Sequence, residues 1–292
     1  MKKSPMNYSR IISGTMAWGK WGKNLNTENM ISLMNHCIEN GINTFDHADI
    51  YGGYTTESLF GNAFAKSKIK RESVKIISKC GIQYLVDNRP NKVKHYNYTK
   101  DYIIWSVEES LKNLKTEYLD ALLLHRPSPL MEPNEIMEAI AKLAQEGKIM
   151  DFGVSNFTPS QIELIASEVP VTINQVEFSL TQNKAMYDGT LDQAIIKNIT
   201  PMSWSPLGCV FKEDTEQTRR IHKQLGELID KYNATEDQLL LAWIMRHPSN
   251  IIPVIGTTDK KRISNAIKAT DIKLDLEDWF LILEASQGHK VP

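Results

Sequence analysis

The sequence predicts an α/β fold of the (β/α)8 TIM-barrel type, a single domain spanning residues 1–292. Three observations predict it. Short β-branched or apolar runs alternate with longer helical patterns, the mark of βαβ units and a parallel sheet. Eight such runs can be counted, and eight units closing on themselves suit a chain of 292 residues. The open, doubly wound alternative usually carries a G-x-G-x-x-G phosphate turn, and none occurs here.

The elements follow in order. The first strand is read at 10–16, "RIISGTM". A helix at 27–40 opens with Thr27 as N-cap and closes before Gly41. The second strand, 44–49, reads "TFDHAD" and leads to a helix at 58–66. The third, 75–81, is "KIISKCG". The segment 82–98, "IQYLVDNRPNKVKHYNY", is the longest irregular stretch, and in a barrel it lies at the catalytic mouth. A helix at 99–114 precedes the fourth strand, 120–125, and a helix at 134–146 precedes the fifth, 151–156. Helix 159–167, strand 173–178, helix 189–197 and strand 201–205 continue the alternation. Helices at 216–232 and 236–247, strand 251–256 and helix 260–269 complete it. No internal repeat, low-complexity run or interdomain linker interrupts the series.

Bulk properties exclude several classes. A net charge of −1 gives no general attraction to nucleic acid or anionic membranes. Hydrophobic residues make up 41% and charged residues 24%, an ordinary globular mix. The longest apolar run, 239–245, is too short to span a bilayer. The opening "MKKSPMNYSR" lacks the apolar stretch of a signal peptide. Cys37, Cys80 and Cys209 show neither CxxC nor metal-ligand spacing, so no metal is expected. Sparse, odd cysteines argue for free thiols in a reducing compartment, and a cytoplasmic location is expected.

In a barrel the chemistry sits at the C-terminal ends of the strands. Side chains alternate between faces, so Asp46 and Thr44 share the inward face while Phe45 and His47 face the helices. By the same parity Lys79 points inward with Ile77, and His125 with Leu123. Singly, an Asp at a strand end is a cap, a Lys a solvated terminus, a His a structural residue and a loop Tyr a packing residue. Together on three consecutive strands they are more. A lysine aimed into a barrel needs a charged partner, and Asp46 is the available one. Tyr51, in the loop beyond, lies beside that pair, whose cation is expected to lower the phenol pKa. A tuned phenol can donate a proton to a developing alkoxide, and a neutral His125 can polarise a carbonyl. This is equipment for carbonyl reduction with a nicotinamide supplying the hydride. His47 and Asp49 fall on the outward side and are read as structural. Cys80 follows Lys79; a lowered thiol pKa and an inert outward-facing thiol are the two readings.

The stretches "FDHADIYG", "ISKCG", "LLLHRP", "GVSNF", "NQVEFS", "SWSPLG" and "PVIGTTDKKRI" run in order from Gly14 to about Ala269. This set resembles the aldo-keto reductase superfamily, and "FDHADIYGGY" with the ending "HKVP" is similar to a bacterial branch of general oxidoreductases. The resemblance implies a catalytic tetrad of Asp46, Tyr51, Lys79 and His125, with Tyr51 as general acid. It also implies an extended NADPH across the barrel mouth. Ser155, Asn156 and Gln175 would hold the carboxamide, Trp204 would stack on the nicotinamide, and Gly14 and Thr15 would line its edge. Ser205, Leu207 and Gly208 would follow the pyrophosphate. At the adenosine end, Gly256, Thr257 and Thr258 precede a helix whose N-terminus favours anions, with Arg262 at the family's phosphate-binding position. Gly256 stands where many members have Lys and Ala266 where many have Asn, so NADH also stays possible; His47, where Thr or Ser is common, is read as structural. Trp18, with Tyr51 and His125, is a substrate-pocket candidate, though Trp18 and Trp21 could equally be packing residues. The segments 82–98, 126–131 and 209–212 would form the pocket walls.

Three function classes follow. The first is an NADPH-dependent reductase of small aldehydes or ketones. The second is a Schiff-base lyase using Lys79, which borohydride trapping would reveal. The third is a non-enzymatic NADPH-binding sensor or partner subunit, marked by tight binding without turnover. The sequence leaves the oligomeric state open.

Overall fold

The computed structural model describes residues 8–87, 89–166 and 169–292. Eight parallel strands close into a barrel with helices outside it. In chain order they begin with β1 (Ile12–Gly14), β2 (Thr44–Asp46) and β3 (Lys75–Cys80). The segment after β3 contains two short strands, β4 (Ile82–Gln83) and β5 (His95–Tyr96), paired antiparallel. The barrel resumes with β6 (Ala121–Leu124), β7 (Phe152–Ser155), β8 (Ile173–Glu177), β9 (Thr200–Trp204) and β10 (Ile252–Ile255). Around the barrel the order is β1-β10-β9-β8-β7-β6-β3-β2. Each predicted strand is found, shorter than read except β9, which is shifted by one residue, and 82–98 contains a small hairpin rather than being wholly irregular; its residue 88 lies outside the described residues.

The helices α1 (Thr27–Glu39), α2 (Thr56–Lys66), α3 (Lys100–Leu114), α4 (Pro133–Gln145) and α5 (Pro159–Ala166) stand where the periodicity put them. The predicted end of α5 at 167 lies outside the described residues. The series continues with α6 (Thr190–Lys197), α7 (Glu216–Tyr232), α8 (Glu236–Met245) and α9 (Lys260–Lys268). One cap moves: Asn26, not Thr27, caps α1, because the extended Asn26 accepts the Asn29 N–H at 2.8 Å. A further helix, α10 (Leu276–Gln287), was not predicted. It packs on α7, ending at Gly288 in the left-handed conformation that stops helices.

The barrel interior is filled by a cluster that includes Tyr8, Ile12, Ile77, Leu123, Ile173 and Met202. Ile76, Cys80, Leu122 and Leu124 belong instead to the layer between strands and helices. Strand parity therefore holds as read: alternate residues divide cleanly between the two cores. The apolar plug fills the barrel, and the polar side chains occupy its C-terminal rim.

Candidate active site

The strand ladder sets the positions. Gly14 pairs with Asp46 across β1 and β2, and Lys79 pairs with Leu123 across β3 and β6. His125 follows β6 directly, its N–H bonded to the Cys80 carbonyl at 2.9 Å. Lys79 Nζ donates to both oxygens of Asp46, at 2.7 and 2.8 Å, and to the His47 carbonyl at 2.8 Å. It reaches the Tyr51 hydroxyl at 3.3 Å. Lys79 is 1% and Asp46 2% exposed, so this is a buried, fully hydrogen-bonded ion pair. The Tyr51 and His125 rings meet edge to face with centroids 6.1 Å apart. The four side chains named from the sequence thus converge.

The loop beyond β2 has a reason for its glycines. Gly52 and Gly53 have φ of 63° and 68°, and Tyr54 follows at 67°. Three consecutive left-handed residues turn the chain sharply after Tyr51, and two are the residue for which that conformation costs least. Tyr54 is held there by its hydroxyl, which donates to the Ile82 carbonyl and accepts the Tyr84 N–H.

Burial pushes the Tyr51 phenol above its ordinary range, and the Lys79 cation pulls the other way without overcoming it. This corrects the expected lowering: the cation is present, but the loss of water outweighs it. Burial works against the Lys79 charge, yet Asp46 and Tyr51 more than offset it and hold the ammonium above its ordinary pKa. His125 is driven well below the usual imidazole range, first by burial and then by Lys79 and Arg126. It is neutral at pH 7, with a buried Nδ1 that has no hydrogen-bond partner among the described residues. His47 faces outward as parity indicated, its ring 4.3 Å from that of Phe60 and its Nδ1 2.9 Å from Thr15 Oγ1. Burial raises the Cys80 thiol well above its ordinary pKa, and the side chain packs in the outer core, in keeping with the inert reading.

Opposite the tetrad, Trp204 Nε1 donates to Asn156 Oδ1 at 2.9 Å, which fixes a half-buried indole face at the mouth. Asn156 and Ser205, at the ends of β7 and β9, both have left-handed backbones, with φ of 63° and 53°. Asn156 Nδ2 donates to Ser155 Oγ at 2.8 Å, and that hydroxyl donates to the Gln175 carbonyl at 2.9 Å. At Gly14 an added Cβ would lie 3.2 Å from Val254 and 3.3 Å from the Ile255 carbonyl, so a side chain here would crowd its neighbours and they would have to give a little. Thr15 is fully buried, donating to the Asp46 carbonyl at 3.0 Å. Leu207 and Gly208 lie half-buried in the turn after β9. A rigid indole face beside small and polar groups fits a flat heteroaromatic ring.

Three expectations change. Gln175 Nε2 donates to Asp46 Oδ1 at 3.0 Å, so this amide buttresses the ion pair instead of waiting free for a ligand. At the N-terminus of α9, Asp259 Oδ1 already accepts the Lys261 and Arg262 N–H groups, at 2.8 and 3.2 Å. Thr257 Oγ1 accepts the Asp259 N–H at 3.1 Å. The cations exposed there are the Lys261 and Arg262 side chains, beside Gly256 and Thr258, while the backbone N–H groups are already capped. Trp18 lines no pocket: it is 0% exposed, packed on Phe45 and Phe60 between barrel and helices. The chain turns back after β1, and Trp21 is the indole at the mouth, with ring centroids 6.3 Å from Tyr51 and 5.5 Å from Tyr84. Arg126, named only as part of a wall, lies with its guanidinium 5.4 Å from the Trp204 ring centroid. The "HRP" after β6 was its signal, since a residue next to an inward histidine at a strand end borders the mouth.

This fold and mouth define a class, the barrel oxidoreductases of carbonyl compounds. The chain belongs to the Aldo/keto reductase family, whose sequence profile matches residues 10–287. It is 44% identical over 293 residues to the uncharacterized oxidoreductase YcsN of Bacillus subtilis, covering 98% of this chain and 97% of that one. It is 33% identical over 291 residues to a 6-dehydroglucose reductase of Agrobacterium fabrum, covering 98% and 97%. Among solved structures, the thermostable aldo-keto reductase Tm1743 in complex with the inhibitor epalrestat superposes with a TM-score of 0.81 at 28% identity, over 94% of each chain. No helix among the described residues is long and apolar enough to cross a membrane.

Proposed function

We propose that the protein reduces small aldehydes or ketones to alcohols with NADPH, using Tyr51 as the proton donor. One observation carries this reading: Lys79 Nζ, clamped by both oxygens of Asp46, lies 3.3 Å from the Tyr51 hydroxyl. Tyr51 keeps its proton at neutral pH because burial holds its pKa up. The neutral His125 can donate a hydrogen bond to a carbonyl oxygen beside Tyr51. Bound against Trp204, Ser155 and Asn156, a reduced nicotinamide would supply a hydride to the carbonyl carbon. As charge develops on the carbonyl oxygen, Tyr51 releases its proton to it. The resulting phenolate faces the Lys79 ammonium, which stabilises it, and solvent restores the proton. Asp46 and Gln175 act by positioning Lys79. The same ammonium, held charged, is in the wrong protonation state for a Schiff base, so the geometry favours reduction over lyase chemistry.

The exposed cations Lys261 and Arg262 favour the 2′-phosphorylated dinucleotide. Fluorescence titrations run in parallel are expected to show tighter binding of NADPH than of NADH. Turnover is read by NADPH oxidation with a panel of small carbonyls. Tyr51→Phe is expected to lose about 10²–10⁴-fold in kcat while melting at an unchanged temperature. Full activity in that variant would remove Tyr51 from the mechanism.

A further inference from the structure

Arg10, Arg71, Arg89, Arg126 and Arg220 are half-buried. Four of them have an acceptor for the guanidinium. Arg10 donates to the Met245 and Ile251 carbonyls, Arg71 to the Asp120 carboxylate, Arg89 to the Tyr102 hydroxyl and Arg220 to the Ala285 carbonyl. The Arg126 guanidinium has neither a hydrogen bond nor an ion pair among the described residues. Its five N–H donors are left for water or a ligand, and it is the arginine that stands at the mouth.

The position is fixed by the backbone. The Tyr98 hydroxyl donates to the Arg126 carbonyl at 2.5 Å and accepts the Arg126 N–H at 3.1 Å. Arg126 follows His125 at the end of β6, yet its guanidinium lies 5.4 Å from the ring centroid of Trp204, at the end of β9. The side chain therefore leans across the mouth, past the ends of β7 and β8. The charges that act on His125 are the cations Lys79, Arg126 and Lys94. Asp46 matches Lys79, while no carboxylate among the described residues pairs with Arg126 or Lys94. Glu177, on the same face of β8 as Gln175, is exposed and makes no ion pair with Arg126. Trp21, 40% exposed and 6.3 Å from Tyr51 between ring centroids, adds an apolar surface. A molecule whose carbonyl sits at Tyr51 and His125 thus meets both an apolar ring and an unpaired cation, whose planar fork matches a carboxylate.

We propose that Arg126 receives a carboxylate of the substrate, so that the compounds reduced at this site are oxo acids with an apolar body. The proposal rests on the reductase reading above and names its substrate class. The carbonyl carbon takes a hydride from NADPH, the carbonyl oxygen takes the Tyr51 proton, and the carboxylate is unchanged, so the product is a hydroxy acid. Arg126 acts on binding and orientation, and the tetrad carries the proton.

The test compares two acids with their methyl esters. Phenylglyoxylate carries the carboxylate on the carbonyl carbon, and 4-formylbenzoate carries it across the ring. At least one acid is expected to show a KM ~10-fold or more below that of its ester. The acid-to-ester ratio of kcat/KM is expected to fall by at least ~10-fold in Arg126→Met and to recover in part in Arg126→Lys. That ratio cancels any effect of Arg126 on the tetrad, because both substrates share it. A readout without turnover is calorimetric titration of the NADP-loaded protein with phenylacetate and with phenylacetamide. The anion is expected to bind at least ~10-fold more tightly, and Arg126→Met to erase the difference. Equal binding of the two in the parent protein, or an acid-to-ester ratio unchanged in a folded Arg126→Met, would overturn the proposal. Weaker NADPH binding in that variant with the ratio unchanged would assign Arg126 to the dinucleotide instead. Turnover of the esters without preference for either acid removes this proposal alone, whereas no turnover of any of the four removes the reductase reading with it.

Discussion

Asp46 and Asp49 are three residues apart, almost equally buried, and opposite in circumstance. Asp46 faces the barrel axis and holds Lys79 through both oxygens, with Gln175 on one of them. Asp49 faces the helices, beside a second acid, Glu57, and accepts a hydrogen bond from Ser106. Burial alone therefore says little about a carboxylate; its partners decide whether it stays charged. The inner pair is balanced and rigid, as the proposed proton donation by Tyr51 requires. The outer pair has two acids close together, and burial holds both carboxyls above their ordinary range, with Arg89 only partly offsetting this at Asp49.

The largest expected effect comes from unbalancing the inner pair. Lys79→Met leaves Asp46 buried without its cation and Tyr51 without phenolate stabilisation. Activity is expected to fall by about 10³-fold or more in kcat. Stability should fall by about 3–5 kcal/mol in a denaturant titration. Adding Asp46→Leu should recover most of that stability and none of the activity. If the double variant stays as unstable as the single one, the inner pair is not what distinguishes the two faces.

The inner face was legible in the sequence, and the outer one was not. Period-two alternation in "FDHAD", "IISK" and "LLLH" assigns Asp46, Lys79 and His125 to one side, because a strand buried on both faces leaves no other freedom. The outer cluster joins the turn after β2, helices α2 and α3, the end of β4 and the segment after it, which only the closed fold brings together. Sequence also names neighbours without measuring burial, which is why the direction of the Tyr51 shift was misread. Helix α10 was missed although Asp275 precedes it and Gly288 ends it. Eight complete units left it no place in the scheme, and Leu276, Phe280 and Leu281 remain exposed, blurring its apolar stripe. Trp18 was misplaced because "GTMAWG" follows a strand, yet the chain dips back under the helices before Trp21 emerges.

The outer pair predicts a smaller effect of opposite sign. An acid whose folded pKa lies above its unfolded value binds more protons when folded, so its contribution to stability falls as pH rises between the two values. For Asp49 that window runs from 3.8 to about 8, and for Glu57 from 4.5 to about 7. Asp49→Asn should therefore match the parent protein near the low end of that window. It should be more stable by at least ~2 kcal/mol at about pH 8.5. Chemical denaturation at the two pH values measures it. A variant less stable than the parent at the higher pH would mean that Asp49 is ionised and paired in the folded protein, which erases the contrast with Asp46.

The smallest effect separates the two tryptophans. Trp21 is 40% exposed and touches Tyr51 and Tyr84 by ring contacts alone, while Trp18 is sealed in the core. Removing an exposed ring at the mouth deletes contact with substrate and with the Tyr51 loop but opens no cavity in the core. Trp21→Ala is expected to raise KM by about 3–10-fold, roughly 1 kcal/mol of lost binding, with kcat held within about twofold. The melting temperature should barely move. Steady-state kinetics on a small aldehyde give both parameters at once. A fall in kcat with KM unchanged would place Trp21 among the groups that position Tyr51, and the boundary between the tetrad and its pocket would then run through this ring.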